Sequence, residues 1–280
     1  MSRIAFFSIP AHGHTNPTVE VVRTLAARGH RVRYYSFEEF RARLEGAGAE
    51  FVPCDSYLPP APRDVERRIG RDFASLIGMV VDVTAAMEER VLGELAAFRP
   101  HCIVADSLCI WGKLYAERLG IPLVCSTTTF AFDQETARGM RPRPGELLRT
   151  LAGVPRIGKK LALLRAHGYR AEKLTDLIQN DSGTDTIVYT SRAFQPGGER
   201  FGERVAFVGP VLPELPAPAE RGNRPLIYVS LGTVMNRNAR FYRNCAEALG
   251  GGPWDVLMSV GSGEQAAALG ALPPHVRAEA

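Results

Sequence analysis

Phe7-Ser8-Ile9-Pro10-Ala11-His12-Gly13-His14-Thr15-Asn16-Pro17 is the stretch whose reading decides the fold. Ahead of it, Ile4-Ala5-Phe6-Phe7 is a continuous apolar run of the kind that forms a strand buried on both faces of a parallel sheet. Behind it, Val19, Val22, Leu25 and Ala26 recur at helical spacing. Asn16 is a good N-cap and Pro17 suits the first helical position. The pattern therefore predicts a helix starting there, with Arg28 near its end and Gly29 just past it. Strand, loop and helix in that order put His14 at the carboxyl edge of a sheet, where open α/β proteins gather their chemistry.

A second strand end carries a residue of matching type. His101-Cys102-Ile103-Val104-Ala105-Asp106 reads as a short buried strand closing on a carboxylate, and Trp111 to Leu119 continues as an amphipathic helix before Gly120. In a parallel sheet with right-handed crossovers all carboxyl ends face one side, so His14 and Asp106 can converge across a long separation in sequence. A carboxylate against a histidine fixes its tautomer and stabilises the imidazolium, as a general base removing a proton from a hydroxyl requires. The plain alternatives are a structural hydrogen-bonding histidine and a capping aspartate.

Composition bounds the remaining possibilities. The 280 residues, 45% of them apolar, suffice for one large or two medium domains. No apolar stretch approaches the roughly 20 residues needed to span a bilayer, and a core strand occupies the N-terminus, so the expectation is a cytoplasmic chain. Cys54, Cys102, Cys109, Cys125 and Cys245 are odd in number and scattered, which argues for reduced core thiols and against a disulfide framework or a zinc site; no metal site is expected. The net charge of +4 comes largely from Arg138 to Lys173, with ten Lys or Arg against Glu146 and Glu172. Only Tyr169 interleaves with them, so the stretch reads as a solvated surface and no nucleic acid partner is expected.

Along the chain the βαβ rhythm is regular. Arg31–Ser36 reads as a strand, Phe37–Ala47 as a helix and Glu50–Pro53 as a short strand; Asp64–Phe98 is helical, with breaks expected near Gly70 or Gly78. Ile121–Ser126, Thr186–Thr190 and Val205–Val208 read as further strands. Thr128, Phe130 and Phe132 leave the sheet edge as candidates for the wall of a small-molecule pocket, an ordinary loop being the alternative. A first domain therefore covers 1–208, a Pro-rich linker 209–224, and the beginning of a second α/β domain 225–280. In that last part Leu226–Ser230 and Asp255–Val260 are strands and Ala239–Leu249 a helix.

Two motifs are decoys. Gly153-Val154-Pro155-Arg156-Ile157-Gly158-Lys159-Lys160 nearly matches a phosphate-binding loop, yet Lys160 stands where Ser or Thr belongs and no strand precedes it. Gly261-Ser262-Gly263-Glu264-Gln265-Ala266 fits a loose dinucleotide fingerprint and reads better as a strand-to-helix turn. The first βα turn, where a nicotinamide oxidoreductase keeps its glycines, holds His12-Gly13-His14, which argues against that class.

His12-Gly13-His14-Thr15-Asn16-Pro17, Arg28-Gly29-His30-Arg31-Val32, Val104-Ala105-Asp106 and Val229-Ser230-Leu231-Gly232-Thr233 together resemble the macrolide-type branch of the UDP-glycosyltransferases, in order from Ile4 to about Val276. The resemblance implies a two-domain glycosyltransferase-B fold: a complete Rossmann-like acceptor domain and the beginning of a Rossmann-like donor domain. It implies inverting, metal-free sugar transfer from a nucleotide-sugar, such as a UDP-sugar, to a hydroxyl of a hydrophobic natural product. His14 would then be the general base and Asp106 its orienting carboxylate. Thr233 with Gly232 would contact the donor diphosphate, with Ser230 as a weaker candidate. The family's downstream His-x-Gly-x-Gly-Ser-like loop and Asp-Gln pair do not occur in this chain, so the recognised donor site is largely missing. The expectations are a transferase truncated within its donor domain, with a polypeptide completing that domain as one option. The alternative is a non-catalytic acceptor-binding or accessory protein.

Overall fold

The computed structural model describes residues 1–58, 73–133, 135, 144–171, 183–212, 223–233 and 236–280. Two compact units divide the chain, Met1–Pro213 and Glu214–Ala280. The expected Pro-rich linker lies largely outside the described residues, as does Gly70.

The first unit is built on a seven-stranded parallel sheet. Its strands are β1 (Arg3–Phe7), β2 (Arg31–Ser36), β3 (Glu50–Pro53), β4 (Cys102–Asp106), β5 (Leu123–Thr127), β6 (Asp185–Val188) and β7 (Val205–Phe207). The order is β3-β2-β1-β4-β5-β6-β7, so β1 pairs with β2 on one side and β4 on the other. The chain winds outward in both directions from that pair. Side-chain alternation along β1 feeds two cores. Ile4 and Phe6 face α1 (His12–Ala27) and α2 (Arg41–Glu45), packing with Val19, Val22 and Leu44. Ala5 and Phe7 face the other way, toward a core that includes residues of α3 (Phe73–Phe98), α4 (Ile110–Leu119) and α5 (Pro144–Ala166). Aromatic stacks tie β1 to β2 on both faces, Phe6 on Tyr34 at 5.1 Å and Phe7 on Tyr35 at 4.5 Å.

Gly112 lets α4 approach the sheet. A Cβ there would meet Ala105 Cβ at 2.8 Å and Phe7 Cβ at 2.9 Å, so only glycine fits this contact. Gly120 ends the same helix in the left-handed conformation at φ 63°.

Several expectations need correction. α1 starts at His12, with Pro17 inside it; Asn16 is not the N-cap. The extra turn forms because Ala11 O accepts both His14 N and Thr15 N at 2.9 Å. Pro17 then withholds only the bond that Gly13 O would accept, and Gly13 is exposed to water. α3 runs through Gly78 without a break, because tertiary burial of Ile77, Val80 and Val81 outweighs the local cost of one glycine. The phosphate-loop look-alike lies entirely within α5, where backbone amides serve the helix.

The second unit holds a three-stranded parallel sheet in the order β10-β9-β8: β8 (Leu226–Ser230), β9 (Asp255–Ser259) and β10 (Val276–Glu279). Two helices, α6 (Ala239–Leu249) and α7 (Gly263–Ala268), connect them. The sequence reading had two strands and one helix. It missed β10 because Val276-Arg277-Ala278-Glu279 carries little apolar signal, and its pairing with β9 comes from tertiary contact. The glycine-rich turn at Gly261 is a strand-to-helix turn, with Ser262 capping α7 through Gln265 N.

Candidate active site

β1, β4 and β5 lie side by side, and each delivers one polar residue at its carboxyl end. The first turn of α1, just beyond β1, carries His14; β4 ends on Asp106; Thr128 follows β5 directly. The registers pair Phe7 with Ala105 and Asp106 with Ser126, which brings the three positions to one edge. This is the point where the strand order reverses, the crevice in which open α/β sheets bind ligands.

His14 Nδ1 lies 2.8 Å from Asp106 Oδ2. The Asp106 side chain is 1% exposed and that of His14 14%, so the carboxylate is sealed behind an imidazole that still meets solvent. Leu108 N–H donates to Asp106 Oδ1 at 2.8 Å and holds the carboxylate in place. Thr128 Oγ1 closes the triangle, 2.8 Å from His14 Nδ1 and donating to Asp106 Oδ2 at 3.4 Å. A carboxylate only accepts, so the tautomer of a neutral imidazole that suits this contact has its proton on Nδ1, toward Asp106, and its lone pair on Nε2. That arrangement can take a proton from a hydroxyl presented to Nε2.

Around this pair, Phe130 is 43% exposed and packs on Phe194 with ring centroids 5.6 Å apart. Gln195, buried, clamps the loop that bears Phe130: it accepts from Ala131 N at 2.9 Å and donates to Ala131 O at 3.1 Å. Phe132 is half-buried. The sequence reading named Thr128 only as a wall residue and missed both Phe194 and Gln195. Gln195 is 64 residues from its partner Ala131, and no local pattern announces such a contact.

In the second unit, Ser230 Oγ accepts from Gly232 N at 3.1 Å, and Gly232 takes φ 79°, a conformation that favours glycine. Asn236 Nδ2 donates to Gly232 O at 3.1 Å and Thr233 O at 3.3 Å, so a buried side chain braces the turn. Thr233 is exposed and precedes α6, which is capped by Asn238. Among the described residues no group of three or more His, Cys, Asp or Glu is placed to hold a metal ion, and no helix is long and apolar enough to cross a membrane.

No protein-family model matches the chain. Among curated proteins it is 33% identical over 288 residues to the demethyllactenocin mycarosyltransferase of Streptomyces fradiae, an alignment covering 99% of this chain and 62% of that protein. It is 34% identical over 270 residues to the NDP-glycosyltransferase YjiC of Bacillus licheniformis, covering 92% of this chain and 65% of the relative. The chain thus spans less than two thirds of the length of these curated relatives. Among solved structures it matches the calicheamicin glycosyltransferase CalG4 with a TM-score of 0.69 at 30% identity, covering all of this chain and 69% of that one. Sequence and fold agree, and the chain belongs to the macrolide-type glycosyltransferase family of glycosyltransferase-B fold.

Proposed function

We propose that this chain carries the acceptor-binding and proton-abstracting part of an inverting glycosyltransferase acting on a hydroxyl of a hydrophobic natural product. The observation that carries the reading is the 2.8 Å contact between His14 Nδ1 and the sealed Asp106 carboxylate, in an imidazole that still meets solvent. Nε2 takes the acceptor proton as the acceptor oxygen attacks the anomeric carbon of a nucleotide-sugar. The bond from that carbon to the diphosphate breaks, and its electron pair leaves on the diphosphate. Attack from the face opposite the leaving group inverts the anomeric centre. The imidazolium that forms is stabilised by Asp106, and Thr128 keeps the ring in register with it.

Residues 1–208 serve as the acceptor domain in this reading, and 225–280 as the portion of a donor domain that this chain contains. The exposed ring of Phe130, with Thr128 and Phe132, belongs to the acceptor wall, and its partner Phe194 extends that wall. Ser230, Gly232 and Thr233 form the turn that receives the donor diphosphate, with the exposed Thr233 hydroxyl as its hydrogen-bond donor. The names of the relatives, one a mycarosyltransferase and one an NDP-glycosyltransferase, support a nucleotide-sugar donor. A completing polypeptide has no support from any relative, and the reading does not depend on one.

The test is transfer from UDP-glucose to a panel of phenolic and macrolide acceptors, read by mass spectrometry beside His14→Ala. Where the parent chain yields product, none from the variant is the expected outcome. Equal product from both would remove His14 from the mechanism. Absence of product from both, with acceptors still binding, would mean that transfer needs donor-site residues this chain does not contain.

A further inference from the structure

The opposite edge of the first unit's sheet holds a feature the transfer reaction does not use. An open cavity of about 480 Å³ is lined by Arg3, Arg31, Arg33 and Arg99 together with Phe98, Ala96 and Ala97. Arg3 and Arg31 begin β1 and β2, so the cavity lies at the amino edge, on the order of 15 Å along the strands from His14.

Three of the four guanidiniums have a partner in the protein. Arg3 Nε donates to Arg99 O at 2.8 Å. Arg33 and Arg31 lie over the Phe98 ring at 4.2 and 5.6 Å from its centroid. Both also reach Glu50, among the described residues the one carboxylate paired with any of the four. Arg99 takes φ 51°, an uncommon conformation for a residue with a side chain. Arg33 Nε is buried with no hydrogen-bond partner. Four cations against one carboxylate leave a local charge of about +3 and most of their N–H donors without a partner among the described residues. Like charges gathered this closely repel unless an anion joins them.

We propose that this cavity is a second ligand site, for a phosphate-bearing small molecule carrying at least two negative charges. Guanidinium forks match phosphate oxygens two at a time, and four around one cavity suit a diphosphate better than a single carboxylate. The volume leaves room for an organic group beside the phosphates, against Ala96 and Ala97. The site is separate from the proposed donor turn, which lies in the other unit.

Inorganic pyrophosphate is the probe, with thermal unfolding and calorimetric titration as the readouts and sodium chloride matching ionic strength. Binding should raise the unfolding temperature by several degrees at a hundredfold excess over Kd. Arg31→Gln and Arg99→Asn, the latter chosen because asparagine tolerates φ 51°, should each weaken binding at least tenfold while leaving far-UV circular dichroism and ligand-free unfolding temperature unchanged. Thr233→Val should leave binding intact, which separates this site from the donor turn. Failure of pyrophosphate to bind, equal binding by the arginine variants, or loss of binding in Thr233→Val would each overturn the proposal. Tighter binding of citrate than of pyrophosphate would overturn the phosphate assignment. None of these readouts depends on sugar transfer, so the proposed function stands or falls separately.

Discussion

Thr128 shows how much one hydroxyl can decide. Its Oγ1 touches both members of the His14–Asp106 pair, so in the proposed reaction it would act through the histidine as a positioning residue. Thr128→Val keeps the shape and removes the hydroxyl. The expected effect is a drop in kcat of about tenfold, the rate equivalent of one hydrogen bond to a charged pair, with acceptor KM little changed and activity restored by Thr128→Ser. Steady-state kinetics on the three proteins would check it, and a fall confined to KM would place Thr128 in the acceptor wall alone. The cysteines make a second case. Burial pushes the Cys125 thiol up to about 11 and raises Cys54 and Cys109 well above their ordinary value of 9.0. A folded-state value above the unfolded one means the stability linked to these thiols is intact below about pH 9. For Cys125 it is lost as pH rises from 9 through 11. At pH 7.5 iodoacetamide should label Cys54, Cys109 and Cys125 only after denaturation, as peptide mass spectrometry would show.

Elements set the distance between helix and sheet, and α4 gives the sharpest instance. Its Gly112 packs where a Cβ would sit within 3 Å of Phe7 and Ala105, the strand residues next to the candidate site. Gly112→Ala should therefore destabilise the first unit by about 1–3 kcal/mol through overpacking, although alanine is the better helix former. Denaturant unfolding would check it; a gain in stability would mean that α4 and the sheet can part at little cost. The first turn of α1 has a related lesson. By forming ahead of Pro17 it converts His14 from a loop residue into a helical one, with a side-chain direction set by the helix.

At the scale of the molecule the two units differ in how their strands are covered. In the first, β1 is paired on both sides and Phe6 and Phe7 are buried on opposite faces. In the second, among the described residues β8 is an edge strand paired only with β9, and Leu226 and Tyr228 are 60% and 62% exposed. Amides of β8 should exchange hydrogen at least about tenfold faster than those of β1 in native-state experiments, since an edge strand opens without breaking a second ladder. Equal protection of the two strands would mean that β8 is covered in solution.

Local signals in the chain were enough for the elements and for the residue types at their ends. Apolar runs of strand length marked β1 and β4, helical spacing marked α1 and α4, and both His14 and Asp106 stood out because each follows a buried run. Those signals depend on periods of two and 3.6 residues and survive in any sequence with one buried face. Pattern alone left open which strands are neighbours. The placement of β4 directly beside β1 brings His14 to 2.8 Å from Asp106, and β5 adds Thr128 to them. Gln195 on Ala131, the arginines around Phe98 and the pairing of β10 with β9 likewise unite residues distant in sequence. The sequence by itself determined the elements and the chemistry available at their ends. Only the tertiary structure decided which of those groups meet, because strand order follows from how all the helices and strands bury their apolar faces together, and no single segment encodes that balance.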